Sequence, residues 1–350
     1  MPKLTGFMGL TNIFRKGYPS LDWIQVEITS HCNANCIYCP QRAYRRNWQG
    51  RFLPLDLFRV LVPAFKKTGL VYLQGWGEPF MHPDFFEMLR IAKDSGCSVG
   101  TTTNGTLLGQ DSIEKLVEGG LDIIGFSLAG VDEKNDSIRK GTHIKKVLDS
   151  MELINRAKNK FGMDAPRIHI AYMLMRCLLG DIEKLPAFLE GTGATQAVIS
   201  SLSLATSPEM EKEATLASGK EEFEELKGRL MAVKEESRKT GTDVYFHIVS
   251  PLKKGGGCSE NISKALVVGS NGDVSPCVMT QVPVKGKNVY YFQGKMTELQ
   301  RLAFDNIGKD SLNTIWHRKG YRAFRQSFRR EQVPDICGKC YKRFIEAFAS

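Results

Sequence analysis

The sequence predicts an α/β protein built on a parallel sheet and followed by a smaller, loop-rich C-terminal domain. Three observations carry this reading. Segments with strand period alternate with segments of helical period from about residue 21 to residue 249. The stretch PLKKGGGCSEN, residues 251–261, then breaks the alternation with three glycines and few apolar side chains. Finally, the nine cysteines of the 350 residues fall as three in the first loop, four after the break, and Cys97 and Cys177 alone between them. Strands separated by helices imply βα units with right-handed crossovers. At least six units can be counted, too few for the eight of a closed barrel.

The elements follow in order. In residues 23–29, Trp23, Ile24, Val26 and Ile28 are set against Gln25, Glu27 and Thr29, with frequent β-branched side chains, as in a strand entering a buried sheet. The chain leaves that strand through Ser30 and His31 into a loop with Cys32, Cys36 and Cys39. Residues 43–54 are polar and basic, and are expected to lie over whatever the loop holds. Residues 55–67 read as a helix with Leu57, Val60, Leu61 and Phe65 on one face. A strand and a glycine-rich turn occupy residues 70–83. Helices are expected at 84–95, 111–118, 144–158, 181–190 and 220–239. Between and after them come strands at 98–105, 122–130, 167–175, 196–202 and 243–249. Beyond the break, ALVVGSNGDVSPC is a hairpin signal turning at Asn271-Gly272.

Composition narrows the function classes. An apolar share of 42% suits a protein with a real core, and no uninterrupted apolar run is long enough to span a bilayer. Residues 1–20 read as a leading arm rather than a signal peptide. The odd cysteine count argues against a disulfide framework and for a reducing, cytoplasmic compartment. Cys97 and Cys177, among apolar neighbours, are expected to fill the core. Much of the +10 formal charge sits in HRKGYRAFRQSFRR, residues 317–330. There Tyr321, Phe324 and Phe328 form an apolar stripe with Arg322, Arg325 and Arg329 beside it. This is the solvated face of an amphipathic helix rather than a polyanion site, so neither nucleic acid nor membrane is expected as a partner. An acidic peptide or an electron-donor protein comes next.

Two constellations carry chemistry. Three thiols spaced CxxxCxxC on one loop can hold a four-iron cube with one iron left open, or, with His31 as fourth ligand, a tetrahedral zinc ion. The second set is Cys258, Cys277, Cys337 and Cys340, with one tight CxxC pair that structural zinc would also accept. On zinc, the chain would be an interaction protein without redox chemistry. The turn Gly75-Trp76-Gly77-Glu78-Pro79 ends the second strand, where parallel α/β enzymes place their sites and where glycines let the backbone approach a ligand.

The cysteine loop, with Tyr38 just before its last thiol, resembles that of the radical SAM superfamily. The resemblance implies a partial (β/α)6 barrel, open on one side, over residues 21–250. It also implies a [4Fe–4S] cluster on Cys32, Cys36 and Cys39 whose open iron is chelated by S-adenosylmethionine. One electron then splits the sulfonium and releases a 5′-deoxyadenosyl radical that abstracts hydrogen from an unactivated C–H bond; the chemistry is the cofactor's and the protein positions it. The turn through Gly75, Gly77, Glu78 and Pro79 resembles the family's Gly-Gly-Glu-Pro contact to the methionine amino group, with Trp76 in place of the second glycine. Asn104 and Ser127 match positions that face the cofactor. Arg139 resembles the partner of its carboxylate, and Met175 is a candidate apolar wall for adenine.

Residues 251–350, with C-x13-G-x4-C from Cys258 to Cys277 and then Cys337-Gly-Lys-Cys340, are similar to the SPASM/Twitch extension. That implies a small α+β iron–sulfur domain. A full domain of that group has further cysteines and a second auxiliary cluster. None follows Cys340 here, so one auxiliary [4Fe–4S] cluster is implied, fully ligated and suited to electron transfer or structure. The resemblance implies a radical SAM oxidoreductase or maturase acting on a peptide or protein. The alternative is a small-molecule or metal-cofactor enzyme, handling a pterin, a sugar or an alcohol. A reductant such as ferredoxin or flavodoxin is implied as partner. No catalytic acid or base is assigned; His169, Tyr172 and His247 lie on predicted strands and are expected to be packed.

Overall fold

The structure is a computed structural model and describes residues 18–253, 255 and 257–348. Most of the predicted N-terminal arm, residues 1–17, lies outside the described residues. Seven strands run in sequence order and parallel to one another: β1 (Leu21–Val26), β2 (Thr68–Leu73), β3 (Ser98–Thr103), β4 (Ile123–Leu128), β5 (Arg167–Leu174), β6 (Ala194–Ser201) and β7 (Asp243–Val249). The first six each lead into helical chain, which makes the six βα units of an open partial barrel, and β7 follows them.

The chain past Pro251 continues the same sheet at both edges. β8 (Ala265–Val268) pairs parallel with β1, and β9 (Asp273–Ser275) returns antiparallel to β8 through the Asn271-Gly272 turn, where Gly272 takes φ +83°. β10 (Val289–Phe292) and β11 (Lys295–Glu298) form a separate hairpin. β12 (Asp305–Asn306) then extends the sheet beyond β9, and β13 (Ile345–Phe348) pairs antiparallel with β7. The glycine-rich break is therefore a change of composition and not an interruption of the sheet.

Strand alternation sets which residues face the concave side. On β5, Ile168, Ile170, Tyr172 and Leu174 join the main core with Val147, Met151 and Ile154 of the preceding helix, Ile144–Phe161. His169, Ala171 and Met173 are thereby turned the other way. Tyr172 is thus a core residue, as expected, and its hydroxyl is buried without a partner.

Four local expectations are corrected. The helix over 55–67 is two short ones, Leu55–Arg59 and Val62–Phe65, because Pro63 cannot donate into a running helix and instead occupies the first turn of a new one. The helix over 181–190 is likewise a 3₁₀ segment, Arg176–Lys184, followed by Leu185–Leu189 with Pro186 in its first turn. Cys97 is buried, but Cys177 is exposed: it opens the 3₁₀ segment, with its backbone N–H held by the Glu213 carboxylate at 2.9 Å, while Leu178 goes inward. Arg325 does not lie on a solvated face. In the helix Lys319–Arg329 it falls on the side of Tyr321 and Phe324, stacks 3.6 Å from the Trp316 ring and donates to the Trp316 carbonyl at 2.8 Å. Burial lowers its pKa to about 10.

Candidate active site

The three-cysteine loop is fixed by the chain it faces. Asn35 N–H donates to the Lys140 carbonyl at 2.7 Å and Ile37 N–H to the Ile138 carbonyl at 2.9 Å. This short ladder lays the loop against the segment carrying Arg139. The Arg139 guanidinium is buried, donates to the Tyr38 hydroxyl, and lies beside Cys32 and Cys36; its Nε has no hydrogen-bond partner. Helix Pro40–Ala43 starts directly after Cys39, and the proline at its first position needs no N–H there.

The Gly75–Pro79 turn packs against the same loop. Glu78 N–H donates to the His31 carbonyl at 2.8 Å. A Cβ on Gly75 would overlap the Glu27 side chain, and one on Gly77 would run into the His31 and Thr29 carbonyl oxygens, so both positions admit only glycine. The Glu78 carboxylate is buried. It accepts from Thr103 Oγ1 at 2.7 Å, from Asn104 N–H at 2.7 Å and from Phe80 N–H at 3.3 Å. Burial raises its pKa to about 6, and the bonds from Asn104, Thr103 and Phe80 limit the rise. Asn104 Nδ2 donates to Asn33 Oδ1 at 2.9 Å, which ties β3 to the cysteine loop.

A cavity of about 260 Å³ lies among these groups, at the carboxyl ends of the strands. Cys32, Cys36, Cys39 and Tyr38 form one wall; Gly75, Gly77 and Glu78 form the next. Asn104, Ser127 and Arg139 complete the predicted set. Pro79 does not line it: buried, it opens the 3₁₀ turn Pro79–Met81 behind Glu78 and so aims the carboxylate. Met175 is corrected as well. β5 ends at Leu174 and the chain turns into the 3₁₀ segment, which puts Met175 in the core, and Met173 reaches the cavity instead. His31 is turned away from the thiols; its ring packs on Phe52 with centroids 4.6 Å apart.

A second cavity, of about 690 Å³, gathers Cys258, Cys277, Cys337 and Cys340. Burial pushes the thiols of Cys258 and Cys337 up to about 12 and that of Cys277 up to about 11, with neighbouring thiols adding to the rise. In the first cavity burial likewise pushes Cys32 to about 11 and Cys39 to about 12. Cys177, outside both cavities, is raised to about 11 in the same way, so it is the grouping of the thiols and not their acidity that marks these two sets. Mononuclear zinc needs its ligands within about 2.3 Å of one point. Among the described residues no three His, Cys, Asp or Glu side chains close on a single ion in that way. All-thiol sets of three and four are the donor chemistry of iron–sulfur clusters, and His31, the fourth ligand a zinc ion would need at the first, packs on Phe52 instead. An unpartnered Arg139 Nε–H, a donor for a carboxylate, and a buried Glu78 carboxylate, an acceptor for amino N–H groups, also fit an amino acid moiety beside the first.

Sequence reasoning missed three features. Ser203, Leu204, Met279 and Lys342 line both cavities, so the two share a wall. Trp76, treated only as a departure from a glycine pattern, lines the first cavity; its backbone N–H donates to Glu27 Oε1 at 2.9 Å and its indole Nε1 is buried without a partner. Glu27 itself is buried and also accepts from Ser270 N–H at 3.1 Å and Ser270 Oγ at 3.0 Å. A carboxylate directly after the buried Val26 at the end of the first strand was the available signal. His169 and His247 are half-buried, line neither cavity, and have pKa values lowered by burial, His169 to about 4.

An open parallel barrel with three thiols at its strand ends and four more in a flanking extension defines a class of iron–sulfur enzyme. Residues 26–169 match the radical SAM superfamily, and residues 258–341 match the SPASM iron–sulfur cluster-binding domain. The chain belongs to the radical SAM superfamily and carries a C-terminal SPASM domain; it is an enzyme that uses S-adenosylmethionine and iron–sulfur clusters. It is 25% identical over 330 residues to the tungsten-containing aldehyde ferredoxin oxidoreductase cofactor-modifying protein of Pyrococcus furiosus, covering 92% of this chain and 88% of that one. It is 30% identical over 183 residues to the GTP 3′,8-cyclase of Chlorobaculum tepidum, about half of each chain (49% and 50%). Among solved structures, Streptococcus suis SuiB bound to S-adenosylmethionine superposes with a TM-score of 0.64 at 16% identity, over 88% of this chain and 68% of that one. At that identity the likeness is one of fold alone. No helix among the described residues is long and apolar enough to cross a membrane.

Proposed function

We propose that Cys32, Cys36 and Cys39 hold the catalytic [4Fe–4S] cluster and that Cys258, Cys277, Cys337 and Cys340 hold one auxiliary [4Fe–4S] cluster. The substrate then lies along the shared wall between them. Bound there, the reduced cluster and S-adenosylmethionine supply a 5′-deoxyadenosyl radical that takes hydrogen from the substrate. The chain's own residues bind and orient. Glu78 and the Gly75–Gly77 backbone receive the methionine amino group, Arg139 its carboxylate, and Asn104 and Ser127 the polar edge of the nucleoside. Tyr38 holds Arg139 in place, and Met173 gives the adenine an apolar surface. The catalytic unit spans residues 21–250 and the auxiliary unit 251–350, in a cytoplasmic protein served by an acidic one-electron donor such as ferredoxin or flavodoxin.

For the substrate, a small molecule in metal-cofactor maturation is the better supported of the two expectations, ahead of a peptide or protein. One relative that matches nearly end to end is a cofactor-modifying protein, whereas the peptide reading has only a likeness of fold behind it. The single observation carrying the catalytic assignment is the 260 Å³ cavity that joins the three thiols to Glu78 and Arg139. Anaerobic reconstitution should give about eight irons per chain, as two cubes require; four would remove the auxiliary assignment, and none would remove both. The substrate class is tested by adding cell extract, split by ultrafiltration, to the reduced enzyme. The small-molecule fraction should raise 5′-deoxyadenosine formation above the uncoupled level. Stimulation confined to the retained polypeptides would restore the peptide reading.

A further inference from the structure

We propose that Lys342 and Glu260 together set the reduction potential of the auxiliary cluster; this rests on the assignment of Cys258, Cys277, Cys337 and Cys340 as its ligands. Each residue lies two positions past a cysteine, Glu260 after Cys258 and Lys342 after Cys340. The two segments are stitched together where Ser259 N–H donates to the Lys342 carbonyl at 3.2 Å. That brings Lys342 Nζ to 2.9 Å from Glu260 Oε1, with the two side chains only 19% and 18% exposed. The ammonium lies beside Cys340 and Cys258, and the carboxylate beside Cys258, Cys277 and Cys340. Both line the cavity of the four thiols, and of the four residues that this cavity shares with the other one, Lys342 alone is charged.

A mostly buried ion pair adds little net stability, because desolvation offsets its attraction. Its electrostatic effect on a redox centre is another matter. Reducing the cluster adds one negative charge, so a nearby cation favours the reduced form and a nearby anion the oxidised form, with little water to screen either. As a pair the two charges nearly cancel. Removing one leaves the other uncompensated, and the two removals act with opposite sign. The ammonium also faces the wall shared with the first cavity, so the pair sits where an electron would leave a substrate for the cluster.

The test is a potentiometric titration of anaerobic holoenzyme followed by electron paramagnetic resonance, reading the iron–sulfur signal that S-adenosylmethionine leaves unchanged. Lys342→Met should move that midpoint to more negative potential and Glu260→Gln to more positive potential. The double variant and Lys342→Arg should stay close to the unmodified protein. A purely structural pair would not give shifts of opposite sign. Shifts in the same direction, or none in protein that retains its iron, would overturn the proposal. Should Lys342→Met lose its auxiliary iron, Glu260→Gln and Lys342→Gln carry the same comparison. Iron analysis of the unmodified protein separates the two levels: a missing second cluster sinks the ligand assignment and this inference with it, whereas two clusters with unmoved midpoints sink this inference alone.

Discussion

The two thiol-lined cavities are built in different ways. The first is made by the ends of parallel strands. Its loop is pinned to residues 138–140, its turn is pinned to His31, and its acid is held by donors from β3. The second is made of turns and very short elements: Cys337 sits in a four-residue helix, Cys277 precedes a 3₁₀ turn, and Cys258 lies within the glycine-rich break. The first site's groups are therefore held by backbone and side-chain hydrogen bonds within the protein, as catalysis by positioning demands. Under the proposed assignment, the second would rely more on its cluster to hold its ligands in register, as small metal-bound units commonly do.

The sharpest way to break that contrast is to remove one ligand from each side. Cys32→Ala should abolish 5′-deoxyadenosine release altogether, measured by chromatography of reduced reaction mixtures, while thermal unfolding of the apoprotein stays close to that of the unmodified chain. Cys337→Ala should abolish full turnover yet leave uncoupled cleavage of S-adenosylmethionine. Normal turnover by Cys337→Ala would end the electron-transfer role of the second site.

Smaller changes sharpen the same comparison. Gly77→Ala puts a methyl group against the His31 and Thr29 carbonyls and should displace the turn, weakening S-adenosylmethionine binding by roughly tenfold or more, about 1.4 kcal/mol. Gly257→Ala, next to Cys258 with open space around it, should leave that affinity unchanged. Equilibrium binding by the reconstituted enzyme measures both.

The smallest effect is one of pH. Burial raises Glu78 to about 6 from an ordinary 4.5, so the folded protein takes up its proton before the unfolded chain does. Stability from this group is thus highest below 4.5 and falls as pH rises from about 4.5 to 6, by about 2 kcal/mol at most. A hydrogen bond donated by the amino group favours the ionised carboxylate, so affinity for S-adenosylmethionine should weaken as pH drops below about 6. Glu78→Gln should flatten that profile, and an unchanged slope in this variant would detach Glu78 from the amino group.

The parallel architecture was legible because alternation of period is a local signal, and the strand limits follow it closely from β1 to β7. Two helices were misread where proline restarts rather than ends the helical pattern, at Pro63 and Pro186. The first cavity was legible nearly residue by residue, since its groups lie in short motifs at strand ends. Met173 was missed because the choice between it and Met175 depends on where the strand turns. The shared wall was not legible: Ser203, Leu204, Met279 and Lys342 come from distant parts of the chain, and only the sheet brings them together. Arg325 and Cys177 were misplaced for a related reason, since polarity alone does not say which charged side chain finds an aromatic stack or which cysteine opens a turn.

The central claim is that the three-thiol loop presents an iron with a vacant position to S-adenosylmethionine. Electron paramagnetic resonance of the reduced, anaerobically reconstituted enzyme tests it most directly. The account predicts an S = 1/2 signal whose g-values change when S-adenosylmethionine is added and which is lost in Cys32→Ala. A reduced signal indifferent to S-adenosylmethionine, or one that survives Cys32→Ala unchanged as the only iron signal, would contradict it.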